Sequence, residues 1–445
     1  MTRTAGSPRR AAPRIGLFGI LAAGNIGNDA SMEAILRYLR DTSPGAEIDA
    51  MTSGAASFTA RYGLPAIPMH WHQKYENGGA LGRARVGGAA RAPRADALAT
   101  LAKALGLGAG LVIDAARTLA WVRRHDVVIV PGAGVLETTV LMRPWEDPYT
   151  WFLLSAAGRL GRTKVALVSV GANVIKQPLT RWLFTAAARL AHYRSYRDTM
   201  SREAMRENGL DVTRDHVYRD VVFGFPPEAS AGDSRTVAVG VMAYYGNNDE
   251  RGQAAQLHAA YVAAMKRFVR WLADDGRQIR FFVGDTGPTD GLIVDELLAD
   301  LRDYQPGLEA GRAVAVSATS WNDMMRAMAP ACAVVAIRYH NVLCGLQLGK
   351  PTMAIAYGGK HETLMADMGL SEFCLPAAAV DGEQLIERFT ELERRAEELR
   401  RQIAERNRVN AGLVGQQFAE LTAVLLGDFT DGGRRAAPSG LAASA

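Results

Sequence analysis

The chain has 445 residues, 48% hydrophobic and 22% charged, proportions that exclude a disordered, collagen-like or fibrous protein. That length exceeds what one hydrophobic core supports, so two domains of roughly 200 residues each are expected. The net charge of +5 drops to −3 once eight arginines in two acid-free stretches are set aside: Arg3, Arg9, Arg10 and Arg14 in residues 1–14, and Arg83, Arg85, Arg91 and Arg94 in residues 77–95. The positive excess thus lies in a tail and an insertion rather than on a folded basic face, and no nucleic-acid partner is expected.

The three cysteines, Cys332, Cys344 and Cys374, show no Cys-x-x-Cys spacing, which fits neither a disulfide framework nor a zinc module and suits a reducing compartment. Residues 1–13 lack the apolar run of a signal peptide. The most apolar window, Leu101 to Val122, is interrupted by Lys103, Asp114 and Arg117, so no membrane span is expected. The expectation is a cytoplasmic protein.

In chain order, Ile15–Ile20 reads as a first strand, followed by a glycine-rich turn and a helix from about Asp29 to Arg40. Further strands are predicted at Ile48–Thr52, Asp126–Val130, Lys164–Val170 and His192–Tyr196, with helices between them. Residues 76–96 are a Gly/Ala/Arg stretch without periodicity, expected to be a flexible insertion. Pro226, Pro227 and Ala229–Ser234 mark a linker. A second series of strands follows at Thr236–Met242, Ile279–Val283, Ala313–Val316, Ala333–Ile337 and Thr352–Ala356. Between the first two, Leu257, Tyr261, Met265, Phe268 and Leu272 share one face of a helix. Glu383–Asn407 reads as one charged helix. Short β-branched runs alternating with helices predict two Rossmann-like α/β domains in a GT-B-like arrangement with a cleft between them. The boundaries are a disordered basic tail at 1–13, a domain at 14–228, a domain at 235–427 and a disordered tail at 428–445. Ligands of such sheets bind at the carboxyl ends of the strands.

Four motifs sit at those ends. Gly24-Asn25-Ile26-Gly27-Asn28-Asp29 lies between strand and helix, where glycines and free N–H groups can admit an anion or simply make a tight turn with Asn28 as the cap. Gly132-Ala133-Gly134, followed by Glu137, is a second close-approach loop. Tyr196-Arg197-Asp198 puts a guanidinium at a strand end, able to grip a carboxylate or phosphate, or to pair with a capping Asp198. Val334–Ile337 leads into Arg338-Tyr339-His340-Asn341 and a helix over Val342–Leu348. Strand alternation places Arg338 and His340 on one side. There an anion-holding arginine would stand beside a histidine able to move protons near neutral pH, the alternative being a histidine packed under the helix. His70-Trp71-His72 has no third ligand, no Asp-x-Asp pair is present, and Gly345…Gly349-Lys350-Pro351 lacks P-loop spacing, so no metal is expected.

These elements, in this order from Ile15 to Leu370, resemble the polysaccharide pyruvyl transferase family. Gly24-Asn25-Ile26-Gly27 matches its opening loop, with Asn28 before Asp29 where the acid usually follows directly. Gly132-Ala133-Gly134 matches its glycine cluster, with Ala133 where glycine is usual. Arg197, Asp198 and Ser201 match its Arg-Asp-x-x-Ser element. Asp220-Val221-Val222-Phe223 is similar to the Asp-Pro-Ala-Phe that closes the first domain, and Arg338-Tyr339-His340 to Arg-Leu-His. Gly349-Lys350-Pro351, Lys360 and Met365–Leu370 follow.

The resemblance implies a GT-B-like fold and transfer of a pyruvyl group from phosphoenolpyruvate to sugar hydroxyls of a polysaccharide or its precursor, forming a ketal. Phosphoenolpyruvate is then a donor substrate, and no redox cofactor or metal is needed. Arg197, Arg338 and Lys360 are the expected donor-binding residues, His340 and Arg338 the catalytic ones. Gly24, Asn25, Gly27, Asp29, Gly132 and Gly134 would form the acceptor or anion loops. If the acceptor is lipid-linked, Arg83, Arg85, Arg91 and Arg94 would hold the enzyme peripherally on anionic lipid. The competing readings are a GT-B glycosyltransferase using a nucleotide sugar, and a two-domain binding protein without turnover.

Overall fold

A computed structural model describes residues 12–70, 97–138, 142–225, 235–246, 248–309 and 311–430, with the backbone alone for 97–105, 248, 249, 251, 288, 428 and 430. The expected tail through residue 11, the insertion at 76–96 with its four arginines, the linker at 226–234 and the tail beyond 430 lie outside the described residues, as do Trp71 and His72.

The first unit runs β1 (Arg14–Gly19), α1 (Ile26–Thr42), β2 (Glu47–Thr52), α2 (Ala55–Tyr62), β3 (Ala66–Pro68), α3 (Ala97–Val122) and β4 (Val127–Pro131). It continues through α4 (Asp147–Gly161), β5 (Lys164–Val170), α5 (Pro178–Leu190), β6 (Tyr193–Tyr196), α6 (Thr199–Glu207) and β7 (His216–Val217). Its sheet has the order β3-β2-β1-β4-β5-β6-β7, with every neighbouring pair parallel. The second unit comprises β8 (Thr236–Val241), α7 (Ala254–Asp274), β9 (Gln278–Val283), α8 (Pro288–Tyr304), β10 (Ala313–Ala315), α9 (Trp321–Met328) and β11 (Ala333–Ala336). Then come α10 (Tyr339–Gln347), β12 (Thr352–Ala356), α11 (Gly359–Asp367), β13 (Cys374–Pro376), α12 (Gly382–Arg394) and α13 (Ala396–Leu421). This sheet is also parallel, in the order β10-β9-β8-β11-β12-β13.

Parallel strands are covered on both faces, so they read as continuous apolar runs. β4, β8 and β12 are buried at every position. Both sheets reverse direction beside their first strand, and that is where α/β sheets open a ligand crevice. The architecture is two Rossmann-like units in a GT-B-like arrangement.

The units share apolar packing. Ile26 and Ala30 of α1, with Val222 and Phe223 beyond β7, belong to the same buried cluster as the second unit's core. Three local expectations are corrected. Asn25, not Asn28, caps α1: its side chain accepts from the N–H groups of Gly27 (3.0 Å) and Asn28 (3.2 Å), so the helix begins three residues early. The charged helix of 383–407 is two helices, broken at Arg395, whose φ of −101° departs from helical values. The last turn, Gly427–Thr430, is helical rather than part of a tail.

α13 begins against the second unit through Leu399 and Ile403 and ends on the first. There Tyr38 stacks on Phe418 at 4.5 Å, Gln417 donates to the Ser195 hydroxyl at 2.7 Å, and Leu421, Leu425 and Leu426 join the first unit's core. The sequence reading places this helix wholly in the second domain, whereas its last turn and the residues through Leu426 complete the first.

Candidate active site

The carboxyl ends of β4, β6, β11 and β12 and the chain after β7 meet at one polar cluster between the units. Arg197 is the first residue after β6 and is 4% exposed. Its Nη2 donates to Glu137 Oε1 at 2.5 Å, and its guanidinium lies 4.6 Å from the centre of the Tyr339 ring. Lys360, in the first turn of α11, donates from Nζ to the other carboxylate oxygen of Glu137 at 3.1 Å. One carboxylate thus joins a cation from each unit.

Local geometry makes room for it. A Cβ on Gly134 or Gly171 would overlap the Glu137 carboxylate, and one on Gly132 would press into Ser31. Gly132 and Ala133 turn the chain with φ of +53° and +62°, a region that glycine occupies freely and alanine does not. Burial pushes the Glu137 carboxyl up, but Lys360 and Arg197 outweigh it and hold the group down at about 2. Burial works against the charged forms of Arg197 and Lys360 too, and their neighbours, Glu137 first among them, together more than reverse it.

His340 lies in the first turn of α10, beside this cluster. Its ring packs against the N-terminus of α1, so closely that a Cβ on Gly27 would overlap it. Its Nε2 stands 3.8 Å from Oδ2 of Asp220, beyond hydrogen-bond reach, and among the described residues neither atom has a hydrogen-bond partner. Asp220 Oδ2 is also 3.9 Å from Arg197. Burial, then Arg197 and Lys360, hold His340 down at about 3, while burial raises Asp220 against the pull of Arg197. The imidazole is therefore neutral at pH 7, and an anion arriving beside it would offset the field of Arg197 and Lys360 and raise its affinity for a proton. Neighbouring His361 is also held at about 3, by burial and Lys360, but its Nε2–H donates to the Ile337 carbonyl at 2.9 Å, which commits it to fixing the β11–α10 turn.

Arg338 departs from expectation. β11 ends at Ala336 and α10 starts at Tyr339, so strand alternation does not reach residues 338–340. Arg338 turns into the second unit, with Nε and Nη2 at 2.8 and 2.6 Å from Asp290 Oδ2, while His340 turns toward Gly27 and Asp220 of the first. The pair expected on one side is divided, and Lys360 rather than Arg338 meets Arg197.

The loop Gly24–Asp29 is an inter-unit seam here. Ile26 N–H donates to the Gly284 carbonyl at 3.2 Å, Thr286 N–H donates to the Gly24 carbonyl at 2.9 Å, and Asn25 bridges Asp285. Asp29 is buried and accepts from Ala22 N–H (2.6 Å) and Arg61 (2.7 Å), so it braces the turn rather than facing the cluster. Gly132 and Gly134 shape the Glu137 loop instead of a separate anion cradle.

Glu137, Asp290 and Tyr339 carry this geometry without standing out in the sequence. The only cue was the position of Glu137 directly behind a glycine turn at a strand end.

The family model for polysaccharide pyruvyl transferase matches residues 25–359, which includes every residue of this cluster except Lys360. No curated sequence relative matches the chain. Among solved structures, a UDP-N-acetylglucosamine 2-epimerase is similar with a TM-score of 0.56 at 12% identity, over 95% of this chain and 98% of that one. S. aureus MnaA with UDP gives 0.54 at 11% identity over 94% and 98% of the two chains. UDP-GlcNAc 2-epimerase from Neisseria meningitidis, bound to UDP-GlcNAc, gives 0.53 at 11% identity over 93% and 99%. At such identities the likeness concerns the fold.

Proposed function

The chain belongs to the polysaccharide pyruvyl transferase family, and we propose that it transfers the pyruvyl group of phosphoenolpyruvate to two hydroxyls of a sugar, in a polysaccharide or its precursor. The observation that carries this reading is the meeting of Arg197 and Lys360, one from each unit, on Glu137 beside a neutral His340. Phosphoenolpyruvate presents a carboxylate and a phosphate. A site that takes it needs at least two cationic anchors from walls that can part and close. Glu137 keeps both cations paired until the substrate's anionic groups take its place. Arg338, on Asp290, supplies a third cation at the same strand edge.

Ketal formation asks for three events. One sugar hydroxyl adds to C2 of the enol phosphate and loses its proton, while the methylene carbon gains one and becomes a methyl group. The C2–O bond to phosphate then breaks and inorganic phosphate leaves. The second hydroxyl closes the ring on C2 and gives up its proton. Neutral His340 suits removal of the first hydroxyl's proton, and the imidazolium so formed is a proton source for the methylene carbon; the regenerated imidazole can then take the second hydroxyl's proton, which balances the one that leaves with inorganic phosphate. Arg197 and Lys360 stabilise the charge gathering on phosphate. Phosphoenolpyruvate is consumed as a substrate, and this route calls for neither a metal nor a redox cofactor.

The test is a thermal-shift comparison of phosphoenolpyruvate with UDP-sugars, using wild type, Arg197→Ala and Lys360→Met, followed by phosphate release over a panel of sugars. A ligand at 100 times its Kd adds about 2.7 kcal/mol. A shift specific to phosphoenolpyruvate and lost in both variants supports the reading. A shift with a UDP-sugar alone overturns it in favour of a nucleotide-sugar enzyme. Binding without phosphate release from any sugar favours a protein that binds without turnover.

A further inference from the structure

We propose that the outer face of α3, α4 and α5 is a docking surface for an anionic lipid bilayer. Large apolar side chains left in water on this chain are concentrated there. Leu107 and Val112 on α3, Trp145 just before α4, and Leu179 and Trp182 on α5 are all exposed, Val112 at 70% and Trp182 at 55%. They occupy one level of the helical layer. The Tyr149 hydroxyl near the start of α4 donates to the Leu111 carbonyl of α3 at 3.2 Å, and Phe152, one turn further on, lies 5.5 Å from the Trp182 ring. Scattered single apolar residues need no explanation, but a patch built from three adjacent helices and holding two tryptophans does.

Charge selects the occupant. At the level of the patch the cations are Arg117, Arg143, Lys176 and Arg181, while of the acids Asp114 is paired with Arg117 and Glu146 and Asp147 are only half-exposed. Arg143, Lys176 and Arg181 are exposed around the patch, and Arg143 sits over Trp145 with its guanidinium 5.9 Å from the ring. A second copy of the chain docking face to face would set these cations against themselves. A bilayer bearing anionic headgroups meets both requirements: apolar and tryptophan side chains enter the acyl boundary and the basic rim meets phosphate. The surface adjoins the edge of the first sheet that carries the Glu137 loop, so a membrane-borne acceptor would arrive beside the polar cluster. The inference stands on these residues alone and does not need the pyruvyl-transfer reading.

Vesicle flotation of the full chain tests it, with phosphatidylcholine vesicles against vesicles containing 30% phosphatidylglycerol. Wild type is expected to float with the anionic vesicles and not the neutral ones, and less so in 0.5 M salt. Val112→Ser with Trp182→Ser should reduce the bound fraction at least tenfold, as should Arg143→Glu with Arg181→Glu. Leu292→Ser, an equally exposed position on the second unit, should leave binding unchanged, and unaltered melting temperatures show that the variants fold. No flotation with anionic vesicles at low salt overturns the proposal, and so does flotation that survives both double substitutions. A wild-type dimer that either double substitution turns into a monomer overturns it in favour of an interface between copies.

Discussion

Replacing Glu137 by Gln keeps the shape of the side chain and removes the charge that two buried cations share. Its size can be reached in two ways. Removing one partner from a buried ion pair costs about 3–5 kcal/mol, because the remaining charge is left uncompensated. Independently, a carboxyl held at about 2 instead of its ordinary 4.5 contributes roughly 3 kcal/mol at neutral pH. Both routes give about 3 kcal/mol, or a fall in melting temperature of roughly 6–12 °C for a unit of this size. Because the folded group binds its proton more weakly than the unfolded one, that stability is complete above about pH 4.5 and lost as the pH falls toward 2. The gap between wild type and variant, measured by chemical denaturation, should therefore be full at pH 7 and narrow in acid. Adding Lys360→Met to Glu137→Gln should recover part of the loss, since one stranded cation goes with it. A gap below about 1 kcal/mol at pH 7, or a double variant as unstable as the sum of the singles, refutes the balancing role.

Three further predictions follow from the same cluster. His340 and His361 are each held at about 3 by burial, so the unfolded chain takes up protons below about pH 6.5 that the folded chain refuses. Stability should then fall with pH from 6.5 toward 3, by up to about 1.4 kcal/mol per pH unit for each residue; a urea midpoint that is flat between pH 7 and 5 contradicts this. Gly27→Ala should cost about 1–3 kcal/mol, because its new Cβ drives into the His340 ring, and His340→Ala in the same chain should relieve much of that cost; equal instability with and without the ring would remove the contact from consideration. Ala133→Gly should raise the unfolding free energy by up to about 1 kcal/mol, since φ of +62° suits glycine and strains alanine; an unchanged or lower denaturation midpoint shows that the turn stores no strain.

The strands were legible because parallel strands buried on both faces must be apolar runs, and Lys164–Val170 and Thr352–Ala356 were placed to the residue. Helix starts were not. Asn25 and Asn28 are equally good caps by composition, and the choice falls to Asn25 because the turn is clamped on Gly284 and Thr286, a contact across 260 residues that no local pattern carries. The same limit applied to the site. Arg197 and His340 could be named from their strand ends and Lys360 from the family resemblance, but the pairing of Arg197 with Lys360 depends on how the two units face each other. Arg338 was misplaced because the turn into α10 comes two residues before strand alternation would have run out. Glu137 can be noted behind its glycine turn but given no role from sequence, since its importance lies in what surrounds it.

The helix α13 also has a consequence for how the molecule is made. It is made well after the first sheet, yet its Phe418 and Leu421, with Leu425 just beyond it, close the apolar surface around Tyr38 of α1. Roughly 200 residues separate the end of the first sheet from that closing piece, a delay on the order of 10–40 s during synthesis. For that interval the newly made first unit presents an unfilled apolar trough, the kind of surface that holdase chaperones recognise. Premature termination anywhere within α12 or α13 would release a chain whose early half can never be sealed.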